Sequence, residues 1–223
     1  MVSGKTYSER RWPDTPEFNS VLHSLKQAGS TTLSAILWKA YDRFCEETLA
    51  RVDSSKEDED LERDITQLFE PKIREVMTDY EPFYVQHGPY ERESRESAPA
   101  QPPQYDIAFI LRNNPRVMWP LEAKVLRTDK RVADYVKEIQ HNFLTCRYAP
   151  FSSEASMLGY LLSGNSTIVF TNITQKSKWE LNVHKDFPKR DHRTSDHKRK
   201  VPKDKHYPVN FRCHHLIFNI RTH

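Results

Sequence analysis

No stretch of this sequence approaches eighteen consecutive apolar residues, and its first residues carry no apolar signal-peptide core. Neither a membrane span nor a secretory leader is therefore expected. Cysteine is scarce: Cys45, Cys146 and Cys213 stand far apart and make no C-x-x-C. That excludes a disulfide framework and fits buried thiols in a reducing compartment. An excess of one charge is also missing. Lys and Arg number 34 against 31 Asp and Glu, a formal net charge of +3. Whole-molecule attraction to nucleic acid is too weak an argument at that value, so any such binding must rest on local clustering. These absences lead to the expectation of a soluble, cytoplasmic protein. What remains is 223 residues, 37% hydrophobic and 29% charged, enough for one large domain or for one domain with extensions.

Residues 1–16 are polar, contain Pro13 and Pro16, and read as an arm. Val21, Leu22, Leu25 and Ala28 follow helical spacing until Gly29-Ser30 breaks the run. Leu33, Ile36, Leu37, Ala40, Tyr41 and Phe44 then mark a second helical face, able to pack on a core or on a partner subunit. After a charged loop over 53–60, Ile65, Phe69 and Ile73 predict a third helix, which Pro71 should end or kink near Glu70. Phe83–His87 reads as a strand. The stretch 90–103 is rich in Glu, Arg, Ser and Pro and reads as a flexible loop. Further on, Val132, Tyr135, Val136, Ile139 and Phe143 predict an amphipathic helix. Ser153 is placed to cap another helix over 154–162, closed by Gly164. Thr167–Thr171 and Phe211–Ile220 read as strands.

The most informative stretch runs from Tyr105 to Leu126. Tyr105–Leu111 and Val117–Leu126 are apolar runs rich in β-branched and aromatic residues, separated by the turn chemistry of Arg112-Asn113-Asn114-Pro115-Arg116. The pair predicts a β-hairpin. Alternation puts Glu122 and Lys124 on one face, and Asp106 joins them if the register allows. Charges in an apolar sheet are costly unless paired or metal-bound. Pro120 lacks a ladder donor, so an edge position or a bulge is expected there. The plain alternative is a cross-strand salt bridge on a solvated face.

An Asp on one strand and Glu-x-Lys on the next, here Asp106, Glu122 and Lys124, resembles the PD-(D/E)XK nuclease superfamily. Glu-x-Lys alone carries no weight, since Glu70-Pro71-Lys72 is a second one. The hairpin and the upstream Asp supply the signal, and Tyr105 stands where the pattern has Pro. The resemblance implies an α/β, restriction-endonuclease-like mixed sheet flanked by helices over 57–223, with 1–56 as an N-terminal arm and helical extension. It also implies a Mg²⁺- or Mn²⁺-dependent nuclease. Asp106, Glu122 and the Ala123 carbonyl would hold the ion, and Lys124 would orient or deprotonate water. An acidic residue on the preceding helix would assist: Glu62, with Glu59 the alternative. DNA is the expected substrate, with RNA the alternative, and the analogy of fold points to bacterial restriction or anti-phage defence.

Residues 184–206 hold nine Lys/Arg against four Asp, the one concentrated basic segment. It reads as a nucleic-acid clamp through Lys198, Arg199 and Lys200, or as a solvated loop of no special role. Arg147 is a further candidate phosphate contact. A zinc site is not expected around His214 and His215, because neighbours on a strand point to opposite faces. A catalytically idle nucleic-acid-binding or assembly subunit, docked to a larger partner through the N-terminal helices, is the reading from a different class.

Overall fold

A computed structural model describes residues 16–221 except 79, 98 and 99, with side chains of the first helix described from Gly29 onward. The expected arm over 1–16 lies outside these residues but for Pro16, as do the side chains of Val21, Leu22, Leu25 and Ala28. Helix α1 (Pro16–Glu47) leads through a 3-10 turn to α2 (Asp58–Val76). Then follow β1 (Phe83–His87), β2 (Ile107–Leu111), β3 (Met118–Leu126) and α3 (Ala133–Glu138), which continues as a π turn over Ile139–Phe143. Strand β4 (Glu154–Leu161), α4 (Ser166–Ser177), β5 (Asn182–Val183), β6 (His192–Lys198) and β7 (Asn210–Asn219) complete the fold.

The seven strands form one sheet in the order β1-β2-β3-β4-β7-β6-β5. β1, β2 and β3 make an antiparallel meander, β4 is parallel to both β3 and β7, and β6 and β5 continue antiparallel. Helices α1 and α2 cover one face: Leu37, Phe44, Ile65, Phe69 and Ile73 pack with Phe109, Leu121, Tyr160 and Phe218. Phe69 meets Phe44 and Phe218 edge to face, with centroids 6.0 and 5.3 Å apart. Each such buried ring contributes about 1.5–3 kcal/mol. On the other face, Tyr135, Ile139, Phe143, Val169 and Ile173 pack on Ala108, Ile110, Met157 and Ile217. Gly159 lies in the central strand β4, under side chains of both neighbouring strands. A Cβ there would stand 2.6 Å from Ile217 Cδ1 and 2.8 Å from Leu126 Cδ1.

Several expectations are corrected. The segment expected as a helix capped by Ser153 is strand β4, and the expected strand over 167–171 is helix α4. A strand buried on both faces between parallel neighbours shows a continuous apolar run, which carries no period to distinguish it from a buried helix. In α4, the Asn165 side chain accepts Thr167 N–H at 2.8 Å, and Val169, Phe170 and Ile173 are buried at helical spacing. This cap and packed face outweigh the β-propensity of its Thr-Ile-Val run. Gly29-Ser30 does not break α1, which runs unbroken and packs in the same core as α2 and the sheet. Pro71 lies inside α2 without ending it, because buried Phe69 and Ile73 carry the helix past the lost N–H.

The loop over 90–103 is anchored rather than free in its described part. Arg116 Nε donates to Glu93 Oε1 at 2.8 Å with both side chains buried, and Tyr105 Oη donates to buried Glu91 at 2.7 Å. Burial pushes the Glu91 carboxyl up to about 7. The acids that made this stretch look solvated are the groups that fasten it. Pro120 causes no bulge: it pairs in register with Ala108, and β3 meets β4 only from Leu121 onward. The proline therefore falls where β3 is still locally an edge.

Candidate active site

The β2–β3 register decides whether the charged residues meet. Ile107 pairs with Leu121 at the end of the ladder, so Asp106 and Glu122 are the next residues of the two segments just beyond it. The Ala123 N–H donates to Asp106 Oδ2 at 2.7 Å, closing the end of the hairpin. Glu62, in the second turn of α2, reaches the same end of β3. Lys124 Nζ donates to Glu62 Oε1 at 2.7 Å, and Val125 N–H donates to Oε2 at 3.3 Å. Asp106, Glu122, Lys124 and Glu62 are thus brought together from two strands and a helix. Glu59 is exposed on the first turn of α2.

Electrostatics separates the roles of these groups. Glu122 is only 4% exposed, and its Oε1 has no hydrogen-bond partner. Burial drives its carboxyl well above the ordinary range; Asp106, Glu138 and Glu62 push it further and Lys124 opposes them. Asp106 is also raised by burial, against the pull of Lys124 and the Ala123 N–H. Glu62 is pushed up to about 7, by burial first, with Lys124 opposing and Asp106 adding to it. Burial pulls Lys124 down, but Glu62 and Asp106 outweigh it and hold the ammonium above its usual range. Without a bound cation these carboxylates therefore favour the charged form of Lys124.

Two further residues share this field. Glu138, at the α3 junction with the π turn, raises both Asp106 and Glu122. Buried Tyr148 donates its hydroxyl to Gln104 O at 3.1 Å; burial raises that hydroxyl, and Glu122, Glu138 and Asp106 add to the shift. Neither stands out in the sequence. The only signal for Glu138 is its place beside the apolar stripe of Tyr135, Ile139 and Phe143.

The donor set is oxygen-rich. It offers carboxylate oxygens, the ligand type a hard divalent cation takes, and one of them, Glu122 Oε1, is buried without a hydrogen-bond partner. Ala123 is buried in β3 between the ligand candidate Glu122 and Lys124.

The proposed nucleic-acid contacts are not brought together with this site. Strand β6 lies three positions from β3 in the sheet, with Lys198 and Lys200 exposed at its end. Arg199 is corrected: it is buried, donates to the carbonyls of Ala149 and Ser152 at 2.9 and 2.7 Å, and stacks over Phe211. Its guanidinium is used up holding the loop after the π turn, so it cannot also grip phosphate. The alternation of Lys and Arg along 198–200 conceals this, since consecutive strand residues face opposite ways. Arg147 is exposed, 3.9 Å from Glu96. His214 and His215 do face opposite ways, His214 toward the Trp119 ring and His215 hydrogen-bonded to Tyr135.

Among the described residues no helix is long and apolar enough to cross a membrane. No family model, curated protein or solved structure matches this chain. Fold and site define its class only physically: a mixed α/β protein with a carboxylate–lysine cluster at one end of a central hairpin.

Proposed function

We propose that this chain is a divalent-metal-dependent nuclease of the restriction-endonuclease-like type, acting on DNA. The observation that carries the reading is Glu122, a buried carboxylate with an unpartnered oxygen, just beyond the end of the β2–β3 ladder with Asp106 and next but one to Lys124. A structural salt bridge on a wet face would leave no such oxygen. The antiparallel hairpin, the helix that follows it and the parallel strand beyond support the fold part of the reading.

Asp106, Glu122 and the Ala123 carbonyl would hold Mg²⁺ or Mn²⁺. The ion would supply Lewis acidity and a lowered pKa for bound water. The chain's own contribution is electrostatic and positional. Lys124 presents its positive charge toward the place where an anionic phosphodiester would lie. Glu62 fixes the direction of that ammonium through its 2.7 Å bond. The Ala123 N–H orients Asp106. The apolar walls around Glu122 keep water from screening these charges.

The test is cleavage of duplex DNA, single-stranded DNA and RNA with Mg²⁺ or Mn²⁺, comparing wild type with Lys124→Ala. Metal-dependent cutting of DNA that the mutant loses is expected. Cutting of RNA alone moves the substrate assignment. No cutting of any substrate, with nucleic-acid binding equal in both proteins, overturns the enzyme and favours a binding or assembly subunit.

A further inference from the structure

A second cluster of metal-ligating side chains lies on the sheet face that carries α1, opposite the face to which Asp106 and Glu122 alternate. His184 follows β5, His192 opens β6, and His214 lies in β7; all three are buried. One nitrogen from each lies within 4.8 Å of the others. We propose that these imidazoles form a site for a late first-row divalent cation, Zn²⁺ in type, separate from the carboxylate cluster.

Two observations carry this. His192 Nε2 and His214 Nδ1 are 3.1 Å apart. That is close to the edge, about 3.3 Å, of a tetrahedron built on Zn–N bonds of about 2.0–2.1 Å. Behind two of the rings stand carboxylates. Glu154 Oε2 is 3.6 Å from His214 Nε2, a buried atom with no hydrogen-bond partner, and Asp186 Oδ2 is 4.0 Å from His184 Nδ1. Metal-bound histidines characteristically turn their second nitrogen to a carboxylate.

The proton arrangement in the structure opposes the ion at two points. Asp186 N–H donates to His184 Nδ1 at 3.2 Å, and Trp38 Nε1–H donates to His192 Nδ1 at 3.3 Å. Each donor keeps a lone pair on Nδ1 and the ring proton on Nε2. Ligation through Nε2 moves that proton to Nδ1. For His184 the Asp186 carboxylate is at hand to receive it. For His192 the Trp38 indole must turn its N–H aside. Trp38, carried on α1, is thus a lock on the site, and metal uptake is coupled to the seating of that helix. Bound metal would cross-link the turn after β5 to β6 and β7, leaving a fourth position for water.

The probe is Co²⁺, added to the untagged, chelator-treated full chain in excess Mg²⁺ so that the carboxylate cluster is saturated. One equivalent of Co²⁺ is expected to give intense visible ligand-field bands that Zn²⁺ abolishes. Glu154→Gln should leave the circular dichroism unchanged and weaken Co²⁺ about 10–100-fold. Trp38→Phe should bind Co²⁺ more tightly than wild type. Absence of the bands in both wild type and Trp38→Phe overturns the site, as does their persistence in His192→Gln. Weaker binding by a folded Trp38→Phe overturns the lock.

Discussion

Replacing Glu122 by Gln removes a charge that the fold does not compensate, and the consequence is calculable. An unfolded glutamate titrates near 4.3. In the folded chain the Glu122 carboxyl lies well above that, chiefly through burial. Below pH 4 both states keep the proton, and the charge costs nothing. As pH rises, the unfolded chain releases its proton first, and stability falls until the folded carboxyl also ionises. Each unit of upward shift removes about 1.4 kcal/mol by that point. Glu122→Gln escapes this loss, so in metal-free buffer its advantage should be absent at pH 4 and grow toward pH 8. For a chain of this size, each kcal/mol moves the melting temperature by about 2–4 °C. A higher melting temperature than wild type at pH 8 is therefore expected in thermal unfolding followed by fluorescence. Mg²⁺ should reverse the ranking, since a ligand at 100 times its Kd stabilises by about 2.7 kcal/mol and only wild type retains the site. If the variant melts below wild type at pH 8 without metal, Glu122 has a partner and the reasoning fails. Equal Mg²⁺ shifts in both proteins would refute the metal assignment alone.

Arg116→Met removes the guanidinium 2.8 Å from buried Glu93, and chemical denaturation should show a loss of stability. Gly159→Ala forces a methyl against Ile217 and Leu126 and should cost about 1–3 kcal/mol in the same assay. Arg199→Ala should lower the melting temperature without changing the salt dependence of DNA binding. A Lys198→Ala/Lys200→Ala double variant should instead reduce that slope by up to about 2, if those side chains meet phosphates. A reduced slope in Arg199→Ala with unchanged melting would contradict its structural role.

The hairpin and its charges were legible because they rest on short-range rules: turn residues at 112–116, and alternation that puts Glu122 and Lys124 together. Glu62 could be chosen because the apolar spacing of α2 marks which face meets the sheet. What failed depended on distant partners. Strand β4 and helix α4 exchange their expected identities because β4 gains neighbours on both sides that are remote in sequence, Leu126 and Asn219 among the strand ends. Glu91 and Glu93 look like loop acids until Tyr105 and Arg116 are brought to them. The histidine cluster joins positions 184, 192 and 214, a spacing no local motif encodes.

The position of β4 has a consequence for how the protein is made. This strand is apolar on both faces and needs hydrogen bonds on both edges, yet the chain supplies its second neighbour, β7, only about fifty residues later. At synthesis rates of about 5–20 residues per second, the exposed edge persists for seconds on a nascent chain. During that interval β3, which carries two of the site's charges, leans on a strand that is itself still unsupported. Chains halted before residue 210 should then be the species that aggregate and that chaperones bind.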